Sequence, residues 1–90
     1  MYRVIFSSDA QKDLIKLRKK APNAIKKLIS LLKELEEHPR TGTGRIEQLK
    51  HCSEETWSRR ITSEHRIVYR IHDNVIEVLV LSVYGHYEDL

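Results

Sequence analysis

The 90-residue chain is predicted to be an α+β protein, with an N-terminal strand and a two-helix antiparallel hairpin packed on a four- to five-stranded, mainly antiparallel sheet. Three observations predict this. Apolar residues recur at helical spacing up to His38-Pro39. The Gly-rich loop Thr41-Gly42-Thr43-Gly44 then interrupts the pattern. Beyond it the apolar period changes from about 3.6 to about 2, the repeat of a pleated strand.

Residues 2–7 are β-branched and aromatic, and read as a strand. Ser8 can cap a helix while Gln11 reaches back to it, a capping box that opens a helix running to about residue 19. Its apolar stripe is Ala10, Leu14, Leu17 and Ala21. Pro22 has the fixed φ of a first helical turn, and Ile25, Leu28, Ile29, Leu32 and Leu35 continue at helical spacing. Lysines 16, 19, 20, 26, 27 and 33 mostly fall off these stripes and read as solvated faces. In the second half, residues 57–62, 66–71 and 75–83 read as strands. Ser63-Glu64-His65 joins the first pair, and Asp73-Asn74, whose residues tolerate positive φ, joins the second. The last strand is apolar except for Glu77 and Ser82, as a central strand would be, and the N-terminal strand is expected beside it.

Residues 1–90 support one core, and no linker or repeat divides them, so a single domain is expected. Hydrophobic residues at 40% with only three Gly and two Pro exclude disordered and collagen-like classes. The lone Cys52 excludes an intrachain disulfide framework and any multi-Cys zinc site. No apolar run has the length of a membrane span, so no membrane association is expected and the cytoplasm is the expected compartment. The net charge of +3 is modest, but Arg40, Arg45, Lys50, Arg59, Arg60, Arg66 and Arg70 gather in the second half and suit a polyanion such as nucleic acid.

Alternation along the strands groups Trp57, Arg59 and Ile61 with Ile67, Tyr69 and Ile71, a set expected to face the helices. Arg60, Arg66 and Arg70 then share the open face, where planar guanidiniums suit phosphate oxygens. The rival reading is cross-strand ion pairing with Glu47, Glu64 or Glu77. Arg59 on the apolar face must lie at a strand end, pair with an acid, or overturn the facing. His51, His65, His72 and His86 share no metal-ligand spacing, Cys52 beside His51 has no orienting third group, and no Gly-rich phosphate cradle is visible. What remains is acid–base chemistry. Cleaving RNA through its own 2'-hydroxyl needs a base, a cation at the phosphate and an acid, needs that Glu47, Arg66 and His86 could meet.

The runs Glu47-Gln48-Leu49-Lys50-His51, Trp57-Ser58-Arg59-Arg60-Ile61-Thr62-Ser63-Glu64-His65-Arg66-Ile67-Val68-Tyr69 and His86-Tyr87 resemble the YoeB/Txe toxins of the RelE superfamily. The resemblance extends nearly end to end. It implies a microbial-RNase-like fold, cleavage of mRNA in the ribosomal A site, and silencing by a cognate YefM-type antitoxin. It makes Glu47 the general base, Arg66 the phosphate-stabilising arginine, His86 the general acid and Tyr87 a substrate-placing residue. Lys50 and Arg60 match basic substrate contacts, and Arg59 is counted with them as RNA-binding. No metal or other cofactor is expected, and a homodimer is compatible with the reading. The chain departs from the family pattern at Ile46 and Gln48, where prolines are common, at Ser53-Glu54-Glu55, and in its Glu88-Asp89-Leu90 extension, an acidic tail able to compete with RNA for Arg66.

Two other functions remain open at this level. A non-catalytic toxin on the same scaffold, like the ParE-type toxins, would bind a protein target and need no acid and base bracketing arginines. A DNA-binding module lacks a recognition-helix pattern.

Overall fold

The computed structural model describes residues 1–85. The elements are β1 (Arg3–Phe6), α1 (Ser8–Lys20), α2 (Ala24–Glu37), β2 (Glu47–Leu49), β3 (Thr56–Arg60), β4 (Arg66–His72) and β5 (Glu77–Ser82), with a 3₁₀ turn at Asp73–Val75. The sheet order is β1-β5-β4-β3-β2. Every pairing is antiparallel except β1 with β5, which the helical hairpin makes parallel by carrying the chain back across one face. The predicted class and the neighbour expected for the N-terminal strand both hold.

The core lies between the helices and the inner sheet face. Ala10, Leu17, Ala24, Leu28, Leu31 and Leu35 meet Ile61, Ile67, Tyr69, Ile71, Val78, Val80 and Val83 there. The stripe of α2 is rotated from the expected one. Leu31 is fully buried while Ile29 remains 49% exposed, because the run Leu28-Ile29-Ser30-Leu31-Leu32 offers apolar residues on two adjacent faces and packing chooses one. α1 is capped by Ser7 and not Ser8. The Ser7 Oγ accepts the Ala10 N–H at 3.0 Å, and Gln11 bonds to the Phe6 carbonyl instead of closing a box on Ser8.

The connection between β4 and β5 also differs from the expected hairpin. Asp73 and Asn74 form a 3₁₀ turn, and the positive φ of 53° falls on Ile76, whose carbonyl accepts the Arg3 N–H at 3.0 Å. A β-branched residue in the left-handed region is strained, so β5 begins only at Glu77 and Val75 stands exposed. Near its other end β5 is bulged: Val80 pairs with Tyr69 but Ser82 pairs with Val68. The extra residue, Leu81, reverses the parity, so Val83 turns into the core after Val80 while Ser82 comes to lie opposite Val68.

Candidate nucleic-acid interface on the outer sheet face

On the face away from the helices, β3 presents Thr56, Ser58 and Arg60, and β4 presents Arg66, Val68 and Arg70, as strand parity requires. Register then lays residues across the sheet. Glu47 is opposite Ser58, Ser58 is opposite Val68, and Val68 is opposite Ser82. In the next row Arg60 is opposite Arg66. Ser58, Val68 and Ser82 are almost fully covered, a low floor beneath the longer charged side chains.

The Arg66 guanidinium donates to the Ser58 Oγ at 3.4 Å, and the residue is 8% exposed. Glu47 lies on the neighbouring strand directly across from that same serine, and is exposed. The sequence-predicted base and phosphate ligand thus flank one small hydroxyl. Arg60 and Arg70 are half-buried, and the Nε of each has no hydrogen-bond partner among the described residues. Arg70 is 3.4 Å from Glu54, which also meets His72 at 3.1 Å. Of the acids expected to neutralise this face, Glu77 instead pairs with Arg3 at the far side of the sheet. An open groove of about 740 Å³ runs from Glu47 past Lys50 and His51 to Val68, Arg70 and Leu81. Its lining combines the apolar Leu49, Val68 and Leu81 with Lys50 and Arg70 and with the carboxylate of Glu47.

Arg59 leaves the predicted RNA-contact set. It is fully buried, and its donors are spent inside the fold. The Nε donates to the Tyr69 hydroxyl at 3.1 Å, and the terminal nitrogens donate to Glu34 at 2.9 Å, to the Thr41 carbonyl at 2.7 Å and to the His38 carbonyl. Of the three outcomes left open for Arg59, pairing with an acid is the one observed, and the acid is Glu34. Its carboxyl is held below the ordinary carboxylate range, first by the Thr43 N–H and then by Arg59. The loop Thr41-Gly42-Thr43-Gly44 is therefore latched between α2 and β3. Gly42 has φ of 121°, and an added Cβ there would run into the Glu34 carboxylate.

His86 and Tyr87, the predicted acid and placing residue, lie outside the described residues. Gly85 is described, and its carbonyl accepts the Arg66 N–H at 3.0 Å. Sequence reasoning missed Ser58, although its parity with Arg60 assigns it to the same face. It also missed the packing of His65, whose ring lies 4.7 Å from that of Tyr84. Among the described residues no helix is long and apolar enough to cross a membrane, and no group of three His, Cys, Asp or Glu could hold a metal ion.

Two helices on one face of a five-stranded mixed sheet, the N-terminal strand parallel to its neighbour, make a fold of the RelE type. The archaeal RelE from Pyrococcus horikoshii, solved with RelB, shares this fold with a TM-score of 0.75 over 93% of each chain at 15% identity. Within that class the chain belongs to a particular family, the YoeB-like toxins of bacterial type II toxin-antitoxin systems, whose profile matches residues 6–87. The toxin YoeB of Escherichia coli K12 is 34% identical over 85 residues, covering 94% of this chain and 99% of its own length. The YoeB of Staphylococcus aureus, solved as a dimer, is 31% identical with a TM-score of 0.81, covering 96% of this chain and 98% of that one. The same relative, in a heterotetrameric complex with YefM, has a TM-score of 0.77 at 32% identity over 97% and 99% of the two chains.

Proposed function

We propose that this toxin is a ribosome-dependent endoribonuclease, acting in the cytoplasm, that cuts mRNA in the A site and so inhibits translation. The observation that carries the reading is the pairing of Glu47 and Arg66 around Ser58 on a basic open face. Glu47 takes the proton of the substrate 2'-hydroxyl. The freed oxygen attacks the adjacent phosphorus, Arg66 stabilises the crowded phosphorane, and the bond to the 5'-oxygen breaks as His86 protonates that oxygen. The products are a 2',3'-cyclic phosphate and a 5'-hydroxyl. Holding the hydroxyl in line makes the attack intramolecular, which is where much of the acceleration originates. Lys50 and Arg60 hold flanking phosphates, and Tyr87 places the substrate. The route uses groups of the chain and the RNA alone, without a metal or other cofactor.

Silencing by a YefM-type antitoxin is supported by the S. aureus complex. An acidic or amphipathic segment that folds on binding would cover the face around Lys50, Arg60 and Arg66 and displace RNA. A homodimer of the toxin is supported by the S. aureus dimer.

The test is a message on programmed ribosomes with a single 2'-deoxy substitution just upstream of the scissile phosphate. The normal message should be cut to a cyclic phosphate end and the deoxy message left intact. Glu47→Ala and His86→Ala should each slow cutting by roughly 10²- to 10⁴-fold, the usual worth of a positioned acid or base. Cutting of the deoxy message to a 3'-hydroxyl would make water the nucleophile and remove these roles. An absence of any cut on translating ribosomes would favour a toxin that acts by binding a protein target.

A further inference from the structure

The turn that delivers Arg66 to the outer face also grips the end of the described chain. Gly85 has both backbone groups bound by two consecutive residues of that turn. Its N–H donates to the Nδ1 of His65 at 2.9 Å, and its carbonyl accepts the N–H of Arg66 at 3.0 Å. Gly85 has φ of 75°, a conformation that glycine adopts without strain.

His65 is built to hold this position. Its carbonyl accepts the N–H groups of Ile61 and Thr62 at 2.9 and 3.1 Å, and its own N–H donates to the Thr62 hydroxyl at 3.1 Å. The ring is 8% exposed and lies against Tyr84, 4.7 Å between centroids with 33° between planes. From α1 the Lys16 ammonium sits 6.0 Å from the Tyr84 ring, and Asp13 of the same helix accepts the Val83 N–H at 3.3 Å. The segment leaving β5 is thus fixed from both sides. A ring nitrogen that accepts an amide proton must itself be unprotonated, so the imidazole is neutral with its proton on Nε2.

We infer that His65 is a positioning residue of the toxin, a hook whose Nδ1 fixes Gly85 beside Arg66 and so sets the point from which the next two residues start. The inference rests on the nuclease reading above, in which those next residues, His86 and Tyr87, supply the acid and place the substrate. One turn then registers two parts of the reaction against each other. Arg66 is aligned through its own strand, and Gly85 through the side chain of the residue immediately before Arg66. Small misplacement of a proton donor is costly even where no contact to substrate is lost.

The alternative role for a covered ring stacked on tyrosine is packing, and three substitutions separate the two. His65→Asn keeps an acceptor oxygen near the place of Nδ1 but loses most of the ring. His65→Phe keeps an aromatic ring for Tyr84 and loses the acceptor. His65→Gln carries its amide at the reach of Nε2 and cannot meet Gly85. In cleavage on programmed ribosomes, His65→Phe and His65→Gln should lose roughly 10- to 100-fold in kcat with little change in KM, the size of effect that misplacement of about 1 Å produces. His65→Asn should restore most of the rate. Amide exchange followed by ¹⁵N NMR gives a readout that does not depend on activity. The Gly85 N–H should be protected in the wild type and in His65→Asn, and should exchange rapidly in the other two. Wild-type protein that fails to cut would overturn the nuclease reading, and the hook would then be judged on Gly85 protection and the ¹⁵N signature of an unprotonated Nδ1. Full activity of His65→Phe with a protected Gly85 amide, or loss of activity in His65→Asn alone, would mean packing and overturn the inference.

Discussion

Arg59→Met is the perturbation that best separates a buried structural arginine from an RNA contact. Methionine roughly keeps the volume and flexibility of the aliphatic stem but removes every donor. The Thr41 carbonyl then loses this donor, the His38 carbonyl is left with the Thr41 N–H at 3.4 Å, the Tyr69 hydroxyl loses the donor it accepts from, and the Glu34 Oε1 loses one of its two donors. The Tyr69 hydroxyl keeps its bond to the Pro39 carbonyl at 2.7 Å, and Glu34 keeps the Thr43 N–H. Removing one partner of a buried pair costs about 3 to 5 kcal/mol. The Glu34 side chain is 29% exposed, so water can reach it and the lower figure applies, about 3 kcal/mol. For a chain of this size that corresponds to a fall of roughly 12 to 24 °C in Tm, at 4 to 8 °C per kcal/mol. The assay is urea and thermal unfolding followed by the fluorescence of Trp57, the only tryptophan. Adding Glu34→Gln to Arg59→Met should recover part of the loss, since the two changes act on one ion pair. A loss below about 1 kcal/mol, within the ordinary range of a single neutral hydrogen bond, would refute the latch. If that stability were kept while cleavage fell, Arg59 would belong with the RNA contacts after all.

Two further outcomes test the packing and the electrostatics. Leu31→Ala should cost roughly 2 to 5 kcal/mol through the cavity it leaves, whereas Ile29→Ala, at a half-exposed site, should stay near 0.5 kcal/mol; equal costs in urea melts would mean that the buried stripe of α2 is misassigned. Acid should destabilise the fold. Glu55 is held below its ordinary value first by hydrogen bonds from Arg40, Asp73 by Tyr2 and then Arg40, and Glu34 by Thr43 and Arg59. Each carboxylate is lowered in the folded state, so its contribution is complete above the unfolded value near pH 4 and is lost as pH falls below it. The urea midpoint should therefore drop as the pH falls below about 4, with a shallower drop in Glu34→Gln and Glu55→Gln. A midpoint unchanged down to pH 3 would show that these carboxylates contribute nothing through their pairing.

How much of this was legible in the sequence depended on how local the determinant is. Strand parity is set by covalent geometry, so the inward facing of Trp57, Arg59 and Ile61 and the outward facing of Arg60, Arg66 and Arg70 could be read directly. The neighbour of the N-terminal strand followed from the apolar character of the last strand, while its parallel sense came from the structure. What could not be read involved choices between near-equal neighbours or partners far along the chain. Ser7 and Ser8 are both competent caps, and only the docking of β1 selects the first. The partner of Arg59 is 25 positions away on another element, and no spacing rule reaches that far. The loop before β2 was legible only as a Gly-rich interruption of the helical pattern, yet its glycines let it approach Glu34 and Arg59 closely enough to be tied down. The bulge at Leu81 leaves no mark in an apolar run, although it sends Val83 back into the core. At the candidate site, chemistry and resemblance named Glu47 and Arg66, but nothing within the run that contains them singled out Ser58, which bonds Arg66, or His65, which holds Gly85.

Arg59 and Arg60 show how one pleat gives two arginines opposite uses. They are adjacent in sequence and carry the same five donors each, so no composition or propensity argument distinguishes them. Parity alone sends Arg59 inward, where a charge is tolerated only if every donor finds a partner, and the fold supplies Glu34, Tyr69 and the carbonyls of a loop to do so. Parity sends Arg60 outward, directly opposite Arg66. Like charges across a strand pair oppose folding, so that row is no gain in stability. The inner arginine therefore stiffens the loop that leads into β2 and Glu47, while Arg60 and Arg66 set two guanidiniums side by side on the open face. A sheet that placed both arginines on either face would lose one of these two properties.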